Sequence, residues 1–258
     1  MQWRNIKKNT ATNIMKKFGL LGKSLKHSFS PDYFNNKFQD LSFNDHSYDI
    51  IEMDDLNSVR SHIETLGLNG FNVTIPYKEE IITFLDELSD EAKIIGAVNC
   101  VHIKNGKWIG YNTDAIGFGH SIKPFLHFSH ERALILGSGG ASKAIIYQLE
   151  KLGLKCLVVS REPNQNQIAY KDLNEFVFKH HPVIVNTTPV GMFPQIENSP
   201  AIPYEHISSS HFCIDLIYNP EMTQFLQKAK ENNAMILNGK DMLYWQAEKS
   251  WEIWNQKE

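Results

Sequence analysis

From Lys17 onward, short apolar runs alternate with amphipathic stretches, the rhythm of a fold in which strands and helices take turns. Phe18, Gly19, Leu20, Leu21 and Gly22 read as a buried strand. Ser30 then offers a helix N-cap, and Pro31 a φ already set for the first helical position. Strands are expected over 47–52 and 70–75 with a helix over 56–66 between them, and Pro76 opens another helix carrying Ile81, Ile82 and Leu85. Asn105 and Gly106 separate apolar stretches at 97–103 and 107–111, a two-residue hairpin signal because both residues tolerate positive φ.

A second unit begins near Asp114. A helix over 114–125 leads through a polar segment to a strand over 132–137, a glycine-rich turn and a helix over 141–152. Further strands fall at 155–160, 183–186 and 212–217, with a helix over 223–232. The last helix, over 241–254, repeats Met242, Leu243, Ala247, Trp251 and Trp254 at helical spacing. The pattern gives two α/β lobes with a cleft between them, where small ligands tend to sit.

Composition narrows the partners. The 258 residues are 42% hydrophobic and 21% charged with a net charge of −3, a globular balance that points to neither nucleic acid nor an anionic membrane surface. Cys100, Cys156 and Cys213 are odd in number and scattered, as expected of reduced thiols in a cytoplasmic protein. No apolar run approaches the roughly 18 residues of a membrane span. The histidines, His27 and the His180–His181 pair among them, lack metal-ligand spacing, so no metal is expected. Residues 1–17 carry five basic side chains and no acidic one; they read as a disordered leader, with Met15 as an alternative start.

Gly137, Ser138, Gly139, Gly140, Ala141 and Ser142 follow an apolar strand and open a helix, the context a dinucleotide loop requires. Glycines let the backbone approach a pyrophosphate, and the helix N-terminus supplies free N–H groups and partial positive charge. This predicts a Rossmann-type domain over 114–239. The next strand ends at Ser160, Arg161 and Glu162. Arg161 suits the 2′-phosphate of NADP, whereas Glu162 suits the free ribose hydroxyl of NAD. The residues leave that choice open.

Five polar segments remain: 22–31, 72–79, 96–99, 111–114 and 238–247. Their ordered set resembles the shikimate dehydrogenase family from Phe18 nearly to the C-terminus, chiefly through Asn72-Val73-Thr74-Ile75-Pro76-Tyr77-Lys78 and Asn112-Thr113-Asp114. The resemblance implies reversible NADP-linked reduction of 3-dehydroshikimate to shikimate in aromatic amino-acid biosynthesis. It also implies a substrate domain over 18–113 that the final segment, 240–258, rejoins. Lys78 and Asp114 are the expected catalytic pair, because a ketone being reduced needs a proton donor or fixed cation at its oxygen. Ser28 and Ser30 are expected on the substrate carboxylate, and Thr74, Asn99, Tyr218 and Gln246 on the rest of the ring. Thr187, Gly239 and Met242 are expected beside the cofactor. One departure is serious: the family's clamp on the 2′-phosphate has only Arg161 here, with Glu162 adjacent. An NAD-preferring enzyme acting on quinate as well as shikimate is therefore the rival, and an inactive ligand-binding protein of the same fold a further one. Monomer and homodimer are both compatible with the sequence.

Overall fold

The computed structural model describes residues 15–26 and 28–256. It contains two lobes, each built on a six-stranded sheet. In the first, β1 (Lys16–Gly22), β2 (His46–Glu52), β3 (Gly70–Val73), β4 (Glu87–Leu88), β5 (Cys100–Lys104) and β6 (Lys107–Tyr111) lie in the order β2-β1-β3-β5-β6-β4. Only β5 runs against its neighbours. Alternation along β1 fills both faces. Leu21 points into a core with Val59 and Ile63 of α2 (Val59–Leu66), while Phe18 and Leu20 point into an aromatic core with Phe34 and Phe38 of α1 (Phe29–Asp40). A short helix, α3 (Asp90–Ile95), precedes β5, capped by the Ser89 hydroxyl on the Ala92 N–H.

The second lobe follows α4 (Asp114–Ile122) and comprises β7 (Arg132–Leu136), α5 (Gly140–Lys151), β8 (Lys155–Ser160), β9 (Gln167–Ala169), α6 (Glu175–Lys179), β10 (Val183–Asn186), β11 (Phe212–Asp215), α7 (Gln224–Glu231) and β12 (Met235–Leu237). Its strands are all parallel, in the order β12-β11-β10-β7-β8-β9. Strand order reverses between β7 and β10, so a crevice opens at their carboxyl ends, the place where such sheets bind ligands. The final helix, α8 (Lys240–Trp254), begins in this lobe's core at Met242 and ends in the other's at Ile253 and Trp254, whose indole N–H donates to the Val101 carbonyl at 2.9 Å. Gly117 permits the close crossing of α4 and α8, since a Cβ there would lie 2.6 Å from the Met242 carbonyl oxygen.

Several sequence expectations need correction. β1 starts at Lys16, whose N–H bonds the Asp45 carbonyl, so Lys16 and Lys17 belong to the sheet and not to the leader. The rest of that leader, 1–14, lies outside the described residues, as does His27. α1 begins at Phe29, and Ser28, not Ser30, is its N-cap. The expected helix after Pro76 is a 3₁₀ turn, Glu80–Phe84, because burying Tyr77 and Ile81 uses one turn and Leu85 is already extended. The elements α3, β4, α6, β9 and β12, all of six residues or fewer, carried no periodic signal long enough to read.

Candidate active site

Lys78 and Asp114, 36 residues apart in the chain, meet between the lobes: the ammonium donates to Oδ2 of Asp114 at 2.7 Å. Lys78 comes from the turn after β3, and Asp114 is the first residue of α4. Asp114 is nearly buried, and Lys78 keeps some exposure toward the cleft, with side chains 7% and 16% accessible. A buried carboxylate is costly unless paired and hydrogen-bonded. Here both oxygens are used: the Asn99 amide donates to Oδ1 at 2.9 Å.

The pair opens onto a groove of about 120 Å³ whose wall includes Ser28, Ser30, Thr74, Asn99, Tyr218 and Gln246. Ser28 and Ser30 stand at the start of α1, where the first-turn N–H groups lack intrahelical partners and the Ser28 hydroxyl makes no capping bond. That end of the groove suits a carboxylate, while the amides, Thr74 and Asp114 suit hydroxyl groups. Tyr218 packs edge-on against Phe29 at 6.2 Å, and burial raises the pKa of its phenol above the usual range. A wider hollow of about 820 Å³ runs outward along α1 and α8, sharing Ser28 and Tyr218 but touching neither Lys78 nor Asp114. It adjoins the groove. Cys100 is buried behind the site with its thiol pushed up to about 12 by desolvation, which removes it as a nucleophile.

The glycine-rich turn faces the same cleft. Gly137 has φ +108°, and a Cβ there would press on the side chains of Thr187 and Thr188 at 2.9 and 2.8 Å. Gly139 has open space where a Cβ would be, and the N-terminus of α5 is uncapped by any side chain. Backbone donors and open space therefore fit a pyrophosphate. The Ser142 hydroxyl donates to the Gly139 carbonyl at 2.6 Å, and Thr187 ties the end of β10 to the Leu136 carbonyl at 2.7 Å. Ser138 touches Ser160 at the end of β8 (3.3 Å), and Arg161 and Glu162 beyond it are exposed. The lobes approach closely here: a Cβ on Gly140 would be 3.5 Å from that of Lys78. Beside it, Glu79 is paired across the cleft with Lys143 of α5 at 2.5 Å, and Glu91 with Lys151 at 2.9 Å.

None of the residues expected beside the cofactor lines the substrate groove, and two of them, Gly239 and Met242, are buried. Met242 is in the core of the second lobe, and its neighbour Leu243 lines the groove instead. Gly239 is held under the Leu216 backbone, where no side chain fits. The sequence reading also passed over residues that hold the site: Tyr48, Asn72, Thr113 and Ser250. Asn72 and Thr113 lie inside the quoted motifs, and Gly117 within an expected helix is the signal that another backbone passes close by.

A substrate-sized groove with an ammonium on a carboxylate, facing a glycine-rich loop at the switch point of a parallel sheet, defines the class of two-lobed nicotinamide-dinucleotide dehydrogenases. Residues 20–101 match the family model described as the shikimate dehydrogenase substrate binding domain. Shikimate dehydrogenase (NADP(+)) of Methanococcus vannielii is 38% identical, over 92% of this chain and 90% of its own. The crystal structure of shikimate dehydrogenase from Aquifex aeolicus superposes with a TM-score of 0.84 at 38% identity, covering 93% of this chain and 92% of that one. That of Thermus thermophilus shikimate 5-dehydrogenase in complex with NADP(H) and shikimate gives 0.83 at 31%, covering 93% and 94%. The chain belongs to the shikimate dehydrogenase family.

Proposed function

We propose that this chain catalyses the reversible NADP-linked reduction of 3-dehydroshikimate to shikimate, a step of aromatic amino-acid biosynthesis, in the cytoplasm. The observation that carries the assignment is the Lys78–Asp114 contact of 2.7 Å at a point where the turn bearing Lys78 lies against Gly140 of the dinucleotide-type loop. NADP, when bound, supplies or takes the hydride. Lys78 gives a proton to the ketone oxygen as the carbonyl π electrons move onto it, and recharges from solvent through its exposed edge. Asp114 holds the ammonium in place and accepts from a ring hydroxyl, so the developing charge meets a cation already oriented. Ser28 and Ser30 take the carboxylate, and Asn99, Thr74 and Gln246 take hydroxyls; an analogue lacking a hydroxyl leaves these groups unpaired and is rejected. Ser138, Ser160 and Arg161 bound the expected position of the 2′-phosphate.

Purified protein should reduce NADP on addition of shikimate, and absence of that turnover would defeat the assignment. Glu162 motivates the second reading, an enzyme preferring NAD and quinate. Steady-state kinetics with the four cofactor–substrate combinations separate them: the first reading requires the highest kcat/KM with NADP and shikimate.

A further inference from the structure

We propose that Ser250, on the C-terminal helix and outside the substrate groove, is a positioning residue that supports the Asn99 amide through Asn72 and the Thr113 hydroxyl, and through it the Asp114–Lys78 pair. The inference rests on the dehydrogenase reading of that pair. Ser250 is completely buried, as is Thr113, and Asn72 and Asn99 are almost so. Within this enclosed set one assignment of the hydrogens gives every group a partner. The Tyr48 hydroxyl donates to Asn72 Oδ1 at 2.8 Å. Asn72 Nδ2 then donates twice, to the Asn99 carbonyl at 3.1 Å and to Ser250 Oγ at 2.8 Å. Ser250 gives its own proton to the Gln246 carbonyl one turn back at 3.0 Å, leaving it an acceptor toward the Thr113 hydroxyl at 3.3 Å. Thr113 Oγ1, its proton directed to Ser250, accepts from Asn99 Nδ2 at 2.9 Å. The Thr113 backbone N–H can only donate, and it meets Asn99 Oδ1 at 2.6 Å. Asn99 therefore cannot flip, and its remaining N–H is aimed at Asp114 Oδ1.

Removing the Ser250 hydroxyl takes away the acceptor for two buried donors, Asn72 and Thr113. A buried donor left unmet is costly. The Thr113 proton is then drawn to Asn99 Oδ1, 3.3 Å away, or to Gln246 Oε1, at 3.5 Å, both of which belong to the groove-forming amides. The consequence falls on the substrate half of the cleft alone.

The test compares Ser250→Ala, Thr113→Val and the double variant by steady-state kinetics, with thermal melting alongside. Ser250→Ala should lower kcat/KM for shikimate about tenfold while KM for NADP stays within about twofold. Thr113→Val should reproduce that split, Thr113→Ser should restore near-normal turnover, and Ser250→Ala should add nothing in the Thr113→Val background. Shikimate kinetics of Ser250→Ala within twofold of wild type would overturn the proposal. So would equal losses for shikimate and NADP, or single losses that multiply in the double variant. If Ser250→Ala fails to melt cooperatively, the Val and Ser variants at Thr113 decide the matter. Wild-type turnover is the separate check on the dehydrogenase reading: its absence defeats that reading, whereas a normal Ser250→Ala enzyme defeats only the positioning role.

Discussion

The two walls of the cleft are made by opposite means. On the substrate side, the polar groups are side chains, buried and tied to one another from five elements and loops: β2, β3, the turn before β5, the start of α4 and α8. On the dinucleotide side, the contact surface is backbone, exposed where glycines leave room, with side chains such as Thr187 and Ser142 spent on holding the loop. In the proposed reading the first wall recognises a small molecule with many hydroxyls, which needs fixed donors and acceptors at set places. The second, in the same reading, receives a charged phosphate bridge, for which aligned N–H groups suffice. Damage should accordingly spread through side-chain chemistry on one side and through backbone shape on the other.

The largest break in that comparison is at Lys78. Lys78→Ala should lower kcat by at least about 100-fold, the low end of what a positioned proton donor contributes, while calorimetry still detects shikimate binding. Near-normal turnover would take Lys78 out of the mechanism. Gly137→Ala probes the other wall. At φ +108°, with Thr187 and Thr188 already in the way, the new Cβ forces the loop to move. KM for NADP should rise about tenfold or more, with shikimate affinity in the absence of cofactor unchanged; a parallel loss of shikimate affinity would show that the walls are not independent. A smaller change is expected from Glu162→Gln. Its carboxylate is exposed, so solvent screens its repulsion of a 2′-phosphate, and kcat/KM for NADP should improve by about fivefold or less. No improvement would place the phosphate away from Arg161 and Glu162.

The same division governed what the chain revealed before its structure. Gly137, Gly139 and Gly140 were legible because a glycine loop between a strand and a helix is a local pattern, and the parallel strands around it have strong apolar runs. Lys78 and Asp114 came from motifs, since as single residues they look like any helix-start lysine and capping aspartate. The supporting network had no such signature: Asn72 and Ser250 touch at 2.8 Å across 178 residues of chain, and nothing local in either marks the other. Sequence puts the N-cap of α1 two residues late because Ser28 and Ser30 are equally good caps by type, and only burial of Ser30 and Pro31 settles which one the helix starts from.

Two buried aspartates carry the contrast one step further. Asp114 faces an ammonium; Asp215, at the end of β11 on the dinucleotide side, is completely buried and, among the described residues, accepts from neutral donors. These are Thr223 Oγ1 at 2.7 Å, Asn186 Nδ2 at 3.0 Å and the Ile217 N–H at 3.1 Å, which together hold the ends of β10 and β11 to the cap of α7. Desolvation outweighs those bonds and raises the pKa from 3.8 to about 6. A carboxyl whose pKa is higher folded than unfolded binds its proton more tightly in the native state. Its contribution to stability is thus fully present below about pH 4 and lost as pH rises through about 6. Asp215→Asn keeps the shape and removes the charge, so its melting temperature should exceed that of wild type at pH 8, by a few degrees, and converge with it near pH 4. Turnover at neutral pH should be nearly unchanged, because no reacting group touches Asp215. If the variant instead melts below wild type at pH 8, the charged carboxylate is holding those three loops together, and the dinucleotide wall depends on a side-chain network after all.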